Sequence, residues 1–101
     1  MHKNKVQQID TVHYAVKNVR ETVRKWEEVM GLTASQIVKN EEWNAECQSV
    51  SFGDIQVQFC EPIGEGLVLE RLNHHGENPF AVEFKGESKR EHEVLGSLYI
   101  Y

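Results

Sequence analysis

Between Gln8 and Met30 the hydrophobic period changes once and abruptly, and that change constrains the fold more than any other feature of the chain. In QIDTVHYAV, Val12, Tyr14 and Val16 alternate with Thr11, His13 and Ala15. A period of two built from β-branched and aromatic residues reads as a strand with one buried face. From Val19 the spacing turns helical, with Val19, Val23, Trp26 and Met30 in one stripe along VRETVRKWEEVM,. Asn18 is placed to cap this helix, and Glu21, three residues on, completes a capping-box pair. Gly31 can adopt the left-handed conformation that closes the helix, with Leu32 folding back on the last turn. A strand therefore feeds straight into a helix, and the stripe places Trp26 in the core.

The rest of the chain reads mainly as strands. Ala34–Lys39 is a candidate strand, NEEWN a polar turn with one aromatic, and Ala45–Phe52 a second strand. Gly53-Asp54 is a turn signal before Ile55–Cys60, where Ile55, Val57 and Phe59 face one way and Gln56, Gln58 and Cys60 the other. These two strands form a tight hairpin, ended by Pro62. Gly66–Asn73 (GLVLERLN) reads as a short helix ending near Gly76, and Pro79 opens another alternating strand, PFAVEFK. For the tail the reading is a helical turn or two through His92 and a last strand, Ser97–Tyr101.

Composition excludes several classes. The 101 residues suit one domain, 1–101, and 40% apolar with 27% charged residues is too rich in apolar groups for disorder,. Sixteen acidic against eleven basic side chains give −5, which argues against a nucleic-acid partner,. The start, MHKNKVQQID, lacks an apolar signal-peptide region, and no apolar run approaches the ~18 residues of a membrane helix. Cys47 and Cys60 are too few for a disulfide scaffold and form no CxxC motif,. The expectation is a cytoplasmic protein with reduced thiols.

With IDTVHYAV, the helix reaching WEEVMGL, the hairpin FGDIQVQFCEPIGEG and the segment LNHHGENPFAVEF, the chain resembles the glyoxalase or vicinal-oxygen-chelate superfamily over roughly residues 8–86. Within it the resemblance is to methylmalonyl-CoA epimerases and lactoylglutathione lyases. It implies an α+β fold: a βαβββ unit, an incomplete second unit, and a mixed curved sheet with helices on one side. It also implies a cavity in which family enzymes hold a divalent ion as a Lewis acid, on side chains from the first and fourth strands of each unit. At the first of those positions this chain has Thr11. The fourth-strand position is matched by Gln58, the equivalent in the second unit falls near Ala81, and the last lies in a region the chain barely possesses. His13 and Glu83 sit one pleat beyond the expected ligands, and with Gln58 they form a displaced set of ordinary ligand types.

The candidate ligand-binding residues are Thr11, His13, Trp43, Gln56, Gln58 and Glu83. Trp43, in a loop, is expected as an exposed aromatic at a cavity mouth or a dimer contact. His74 and His75 read as a solvated helix end, His92 and His2 as uninvolved, Cys60 as a small apolar filler, and Glu41-Glu42 as a solvated face. No nucleophile triad or phosphate-cradling loop is visible, and the sequence names no cofactor, no catalytic residue and no metal ligand set. Three functions stay open: a binder of a small organic molecule without metal catalysis, like the bleomycin-resistance proteins; a divalent-metal-dependent lyase, epimerase or isomerase; and a catalytically inactive structural or regulatory subunit. Open sheet edges point to a homodimer, with or without exchanged strands.

Overall fold

The computed structural model describes residues 8–86, 91–94 and 97–100. Its strands are β1 (Ile9–Ala15), β2 (Val38–Asn40), β3 (Ala45–Phe52), β4 (Ile55–Pro62), β5 (Asn78–Phe84), β6 (Glu91–Val94) and β7 (Ser97–Ile100). Helix α1 (Val19–Met30) follows β1, and α2 (Leu67–His75) joins β4 to β5. The strands make one mixed sheet in the order β2-β3-β4-β1-β5-β7-β6. Central β1 runs parallel to β4 and antiparallel to β5, so the β1-α1-β2-β3-β4 unit meets the second unit along β1 and β5. Among the described residues the second unit has β5, β6 and β7 and no helix of its own. This is the expected α+β class with an incomplete second unit.

Asn18 caps α1 as its chemistry requires. Its backbone is extended, and its Oδ1 accepts the Glu21 N–H at 3.0 Å,. The Val19 N–H goes to Glu61 Oε1 at 2.9 Å, so a β4 side chain satisfies a second open donor of the first turn,. The Glu21 carboxylate turns to Lys25 at 3.5 Å. Gly31 ends the helix at φ 68°, its N–H donating to the Glu27 carbonyl at 2.9 Å,.

Only half of the expected apolar stripe is buried. Val19 and Val23 join Val16, Val50 and Phe59 in one cluster, but Trp26 is 39% exposed and Met30 is also exposed. Trp26 lies over the rim instead, its ring 5.6 Å from Phe52 and 6.2 Å from Phe59. The placing of Trp26 in the core is thus corrected: α1 packs mainly on β3 and β4, and its last turns run past their cover.

Helix α2 packs against β4, β1 and β5, where Val68 joins Ala15, Trp43, Ala45, Cys47, Cys60, Phe80, Ala81, Leu98 and Ile100. The two helices thus serve two separate clusters, because α2 is the connection between units and packs across their junction. Gly66 makes this possible: at φ 156° it lets the loop approach the Trp43 carbonyl, which a Cβ would meet at 2.9 Å,. Asn44, itself at φ 51°, ties the same loop down by donating from Nδ2 to the Glu65 carbonyl at 2.9 Å and accepting the Ile63 N–H at its own carbonyl.

Two strand expectations change. The strand expected at Ala34–Lys39 is regular only as Val38–Asn40. Ala34 makes an isolated bridge to Val50, and Ser35 binds Ser49 through both its N–H and its hydroxyl, so a side chain replaces part of the ladder,. The helical turn expected through His92 is instead β6, with His92 opposite Tyr99 of β7; residues 87–90 of that expectation lie outside the described residues. Pairing to β7, whose Leu98 and Ile100 are buried, overrides local helical preference,. Tyr101 and His2 also lie outside the described residues.

Candidate functional site

Period-two alternation sets Thr11, His13, Gln56, Gln58 and Glu83 on one face of the sheet, and register decides which of them meet. Thr11 is level with Gln56 on β4 and Glu83 on β5, while His13 is level with Gln58 and Ala81. His13 is 5% exposed, and each ring nitrogen has a partner. Nδ1 lies 2.7 Å from Gln58 Oε1, and Nε2 lies 3.3 Å from Glu83 Oε1. The Trp43 ring meets the imidazole edge-on at a centroid distance of 5.0 Å, and Phe80 lies 6.3 Å away.

A cavity of about 590 Å³ opens at this cluster, lined by His13, Asn40, Glu42, Trp43, Gln58, Glu83, Glu91 and Ile100. Four of the six expected site residues, His13, Trp43, Gln58 and Glu83, therefore come together. Thr11 is buried beside them, its hydroxyl donating to Asp10 at 3.4 Å, and does not reach the lining; Gln56 is exposed one pleat away. Trp43 differs from the expected exposed aromatic: it is 5% exposed, its N–H donating to Asn40 Oδ1 at 2.8 Å, its carbonyl against the Gly66 loop and its ring against His13 and Phe80,. His74 and His75 lie exposed at the end of α2, as expected. A smaller groove of about 330 Å³ beside Lys25, Trp26, Val29 and Glu77 lies along the α1 surface, apart from this cluster.

Asn40, Glu42, Glu91 and Ile100 escaped the sequence reading. Asn40 had a signal, since an Asn at the head of a polar turn accepts a backbone N–H two or three residues on, as a cap does. Glu42 was counted with a solvated face, and Glu91 and Ile100 reach the cavity only because β6 and β7 pair beside β5.

Burial sets the protonation of this site. Desolvation pushes the His13 imidazole below its ordinary pKa; hydrogen bonds from Gln58 and Glu83 and the Glu83 charge oppose this without overcoming it,. The ring is therefore neutral near pH 7. A neutral imidazole carries a single N–H, so it donates either to Gln58 Oε1 or to the Glu83 carboxylate, and the tautomer decides which,. Glu91 is raised above the usual carboxylate range, first by its slight burial and then by Glu42, with which it shares a hydrogen bond and a like charge.

The arrangement does not fit a three-donor metal site on His13, Gln58 and Glu83. Gln58 and Glu83 occupy opposite nitrogens of one ring, so an ion at Nε2 could meet Glu83 and the imidazole but not Gln58. Among the described residues no other cluster of three His, Cys, Asp or Glu side chains could hold an ion. What the cavity offers is one neutral imidazole, two amides and three carboxyl groups over an aromatic and aliphatic floor.

The sequence matches the family model for the Glyoxalase/Bleomycin resistance protein/Dioxygenase superfamily over residues 10–86. The chain belongs to that superfamily. No curated protein matches it significantly in sequence. Among solved structures, this glyoxalase-superfamily chain is similar to a hypothetical protein from Bacillus halodurans C-125 (TM-score 0.80, 12% identity, covering 95% of this chain and 93% of that one). It is also similar to the methylmalonyl-CoA epimerase of Mycobacterium tuberculosis (TM-score 0.78, 12% identity, 99% and 90%). A methylmalonyl-CoA epimerase in complex with methylmalonyl-CoA and NH4+ matches at TM-score 0.72 and 21% identity over 79% of this chain, which spans 60% of that protein's length. At these identities the likeness is one of fold.

Proposed function

We propose that this glyoxalase-superfamily chain binds a small organic molecule in the His13 cavity without metal catalysis. The observation that supports this reading is the His13 ring itself. It is buried, with Gln58 2.7 Å from one nitrogen and Glu83 3.3 Å from the other, at the wall of a cavity about 590 Å³ in volume. That volume suits a drug-sized or smaller ligand. Three of the eight described lining residues are carboxyl groups, so the occupant presents N–H or O–H groups to Glu83, Glu42 and Glu91 and an apolar body to Trp43 and Ile100,. The proposal takes residues 1–101 as one domain working as a homodimer in the cytoplasm. β2 and β6 are open edges, and both cysteines are free thiols,.

The test is a fluorescence titration of a Trp26→Phe background, in which Trp43 is the remaining indole, with small aromatic compounds differing in donor groups and charge. Donor-bearing compounds are expected to change Trp43 emission equally with and without a chelator. His13→Ala should weaken binding about tenfold or more, a loss of ~1.4 kcal/mol. Binding that requires an added divalent ion would favour the lyase, epimerase or isomerase reading. Failure of every compound, with a protein recovered on the folded chain, would favour the structural or regulatory one.

A further inference from the structure

Cys47 and Cys60 stand directly opposite each other on β3 and β4, both with no exposed surface, their sulfurs 2.9 Å apart. The backbone shows which kind of pair they form. The Cys60 carbonyl accepts the Val16 N–H at 2.9 Å, so the polar groups of Cys60 face away from β3. On the other strand the Ser49 carbonyl accepts the Ser35 N–H at 2.8 Å, which by alternation turns the polar groups of Cys47 away from β4. Cys47 and Cys60 are thus a non-hydrogen-bonded pair, the class in which opposed Cα atoms lie closest, about 4.5 Å apart. That spacing is inside the range of roughly 4.4–6.8 Å that a disulfide spans.

We propose that Cys47 and Cys60 are a reversible oxidation site, forming an intramolecular cross-strand disulfide when a small neutral peroxide reaches them. In the first step the Cys47 thiolate attacks the peroxide O–O bond, giving a sulfenic acid and, from hydrogen peroxide, hydroxide. In the second the Cys60 sulfur attacks Cys47 Sγ, the S–S bond forms and water leaves. Two thiols are oxidised, and one peroxide is reduced by two electrons. Cys47 is the attacking group because the hydrogen bond it shares with Cys60 lowers its pKa, while the same partnership and burial raise Cys60,.

Two features admit the oxidant. Gln58, which lines the cavity, lies 3.6 Å from Cys60 Sγ, so one side chain separates the pair from the cavity. Cys47 also pairs outward with Val38 at the start of the three-residue edge strand β2, the part of the sheet with least pairing to hold it closed,.

The test treats the native full chain with hydrogen peroxide, quenches with acid and alkylates. The expected result is loss of both free thiols and of two hydrogen atoms from the intact mass, restored by a reductant. No Lys or Arg lies between Lys39 and Arg71, so trypsin leaves both cysteines in one peptide; cleavage before Asp54 separates them and should yield a reducible linked pair. The oxidised chain should also unfold at higher urea concentration than the reduced one, and peroxide should leave the midpoint of a Cys47→Ser variant unchanged. Sulfinic or sulfonic acid without a link, a disulfide between two chains, or a link that forms only in denaturant would each overturn the proposal. So would thiols that stay free under peroxide.

Discussion

His13 is the residue whose chemistry departs furthest from its free state. Folding places a basic ring where the protonated form loses water, and the nearby Glu83 carboxylate recovers only part of that loss,. The sign of the pH effect follows. Below its ordinary value of 6.5 the unfolded imidazole takes up a proton while the folded one resists until a lower pH. In that window the unfolded state binds more protons, so stability is full above 6.5 and is lost as pH falls toward the folded pKa. Urea unfolding midpoints should therefore fall from pH 7.5 to pH 5 more steeply in the native chain than in His13→Asn. Equal slopes would show that the ring is not buried in its neutral form. The identity of this residue was legible in the sequence as a polar side chain on the cavity face. That it meets Gln58, and that Thr11 does not, depends on the register of β1 against β4.

At the scale of elements, the connections carry more of the site than the strands do. Trp43 is buried because its ring packs against His13 and Phe80 in the cluster beneath α2, while the Asn40 side chain and the Gly66 loop hold its backbone. Gly66→Ala puts a Cβ 2.9 Å from the Trp43 carbonyl in a backbone region that side chains rarely enter. It should cost about 1–3 kcal/mol, read from urea denaturation, and alter Trp43 emission in the folded state. An unchanged midpoint would mean that the loop is free to move off the turn. Helix α1 and the β3–β4 hairpin were readable from local rules, because a cap, a stripe and a glycine turn each act within a few residues. The short β2 and the β6 strand were not. In both, tertiary pairing competes with local preference, and Ser35 and β7 supply partners that no sequence window contains.

The described residues form an open seven-stranded sheet whose two units differ in completeness. β2 at one edge is three residues long, and β6 at the other is four. Short edges limit unwanted pairing yet leave backbone groups that a second copy could satisfy. Sedimentation equilibrium should give twice the 11.7 kDa chain mass at micromolar concentration, and a lysine or proline placed in β6 should shift it toward the single-chain value,. A single-chain mass across the whole concentration range would remove the dimer from the proposed function.

Resemblance to a known superfamily implied the class of the fold, and the residues themselves specified the strand-to-helix opening, the hairpin and the face on which the polar residues lie. The latter follow from period, capping and turn chemistry, all short-ranged. Tertiary structure decided which of those residues touch. Register set His13 between Gln58 and Glu83, the α2 connection buried Trp43, and the pairing of β6 with β7 brought Glu91 and Ile100 to the cavity. A shift of one residue along a strand keeps the composition and reverses the face. A composition therefore specifies a cavity's chemistry only after the long-range hydrogen bonds have fixed where each side chain points.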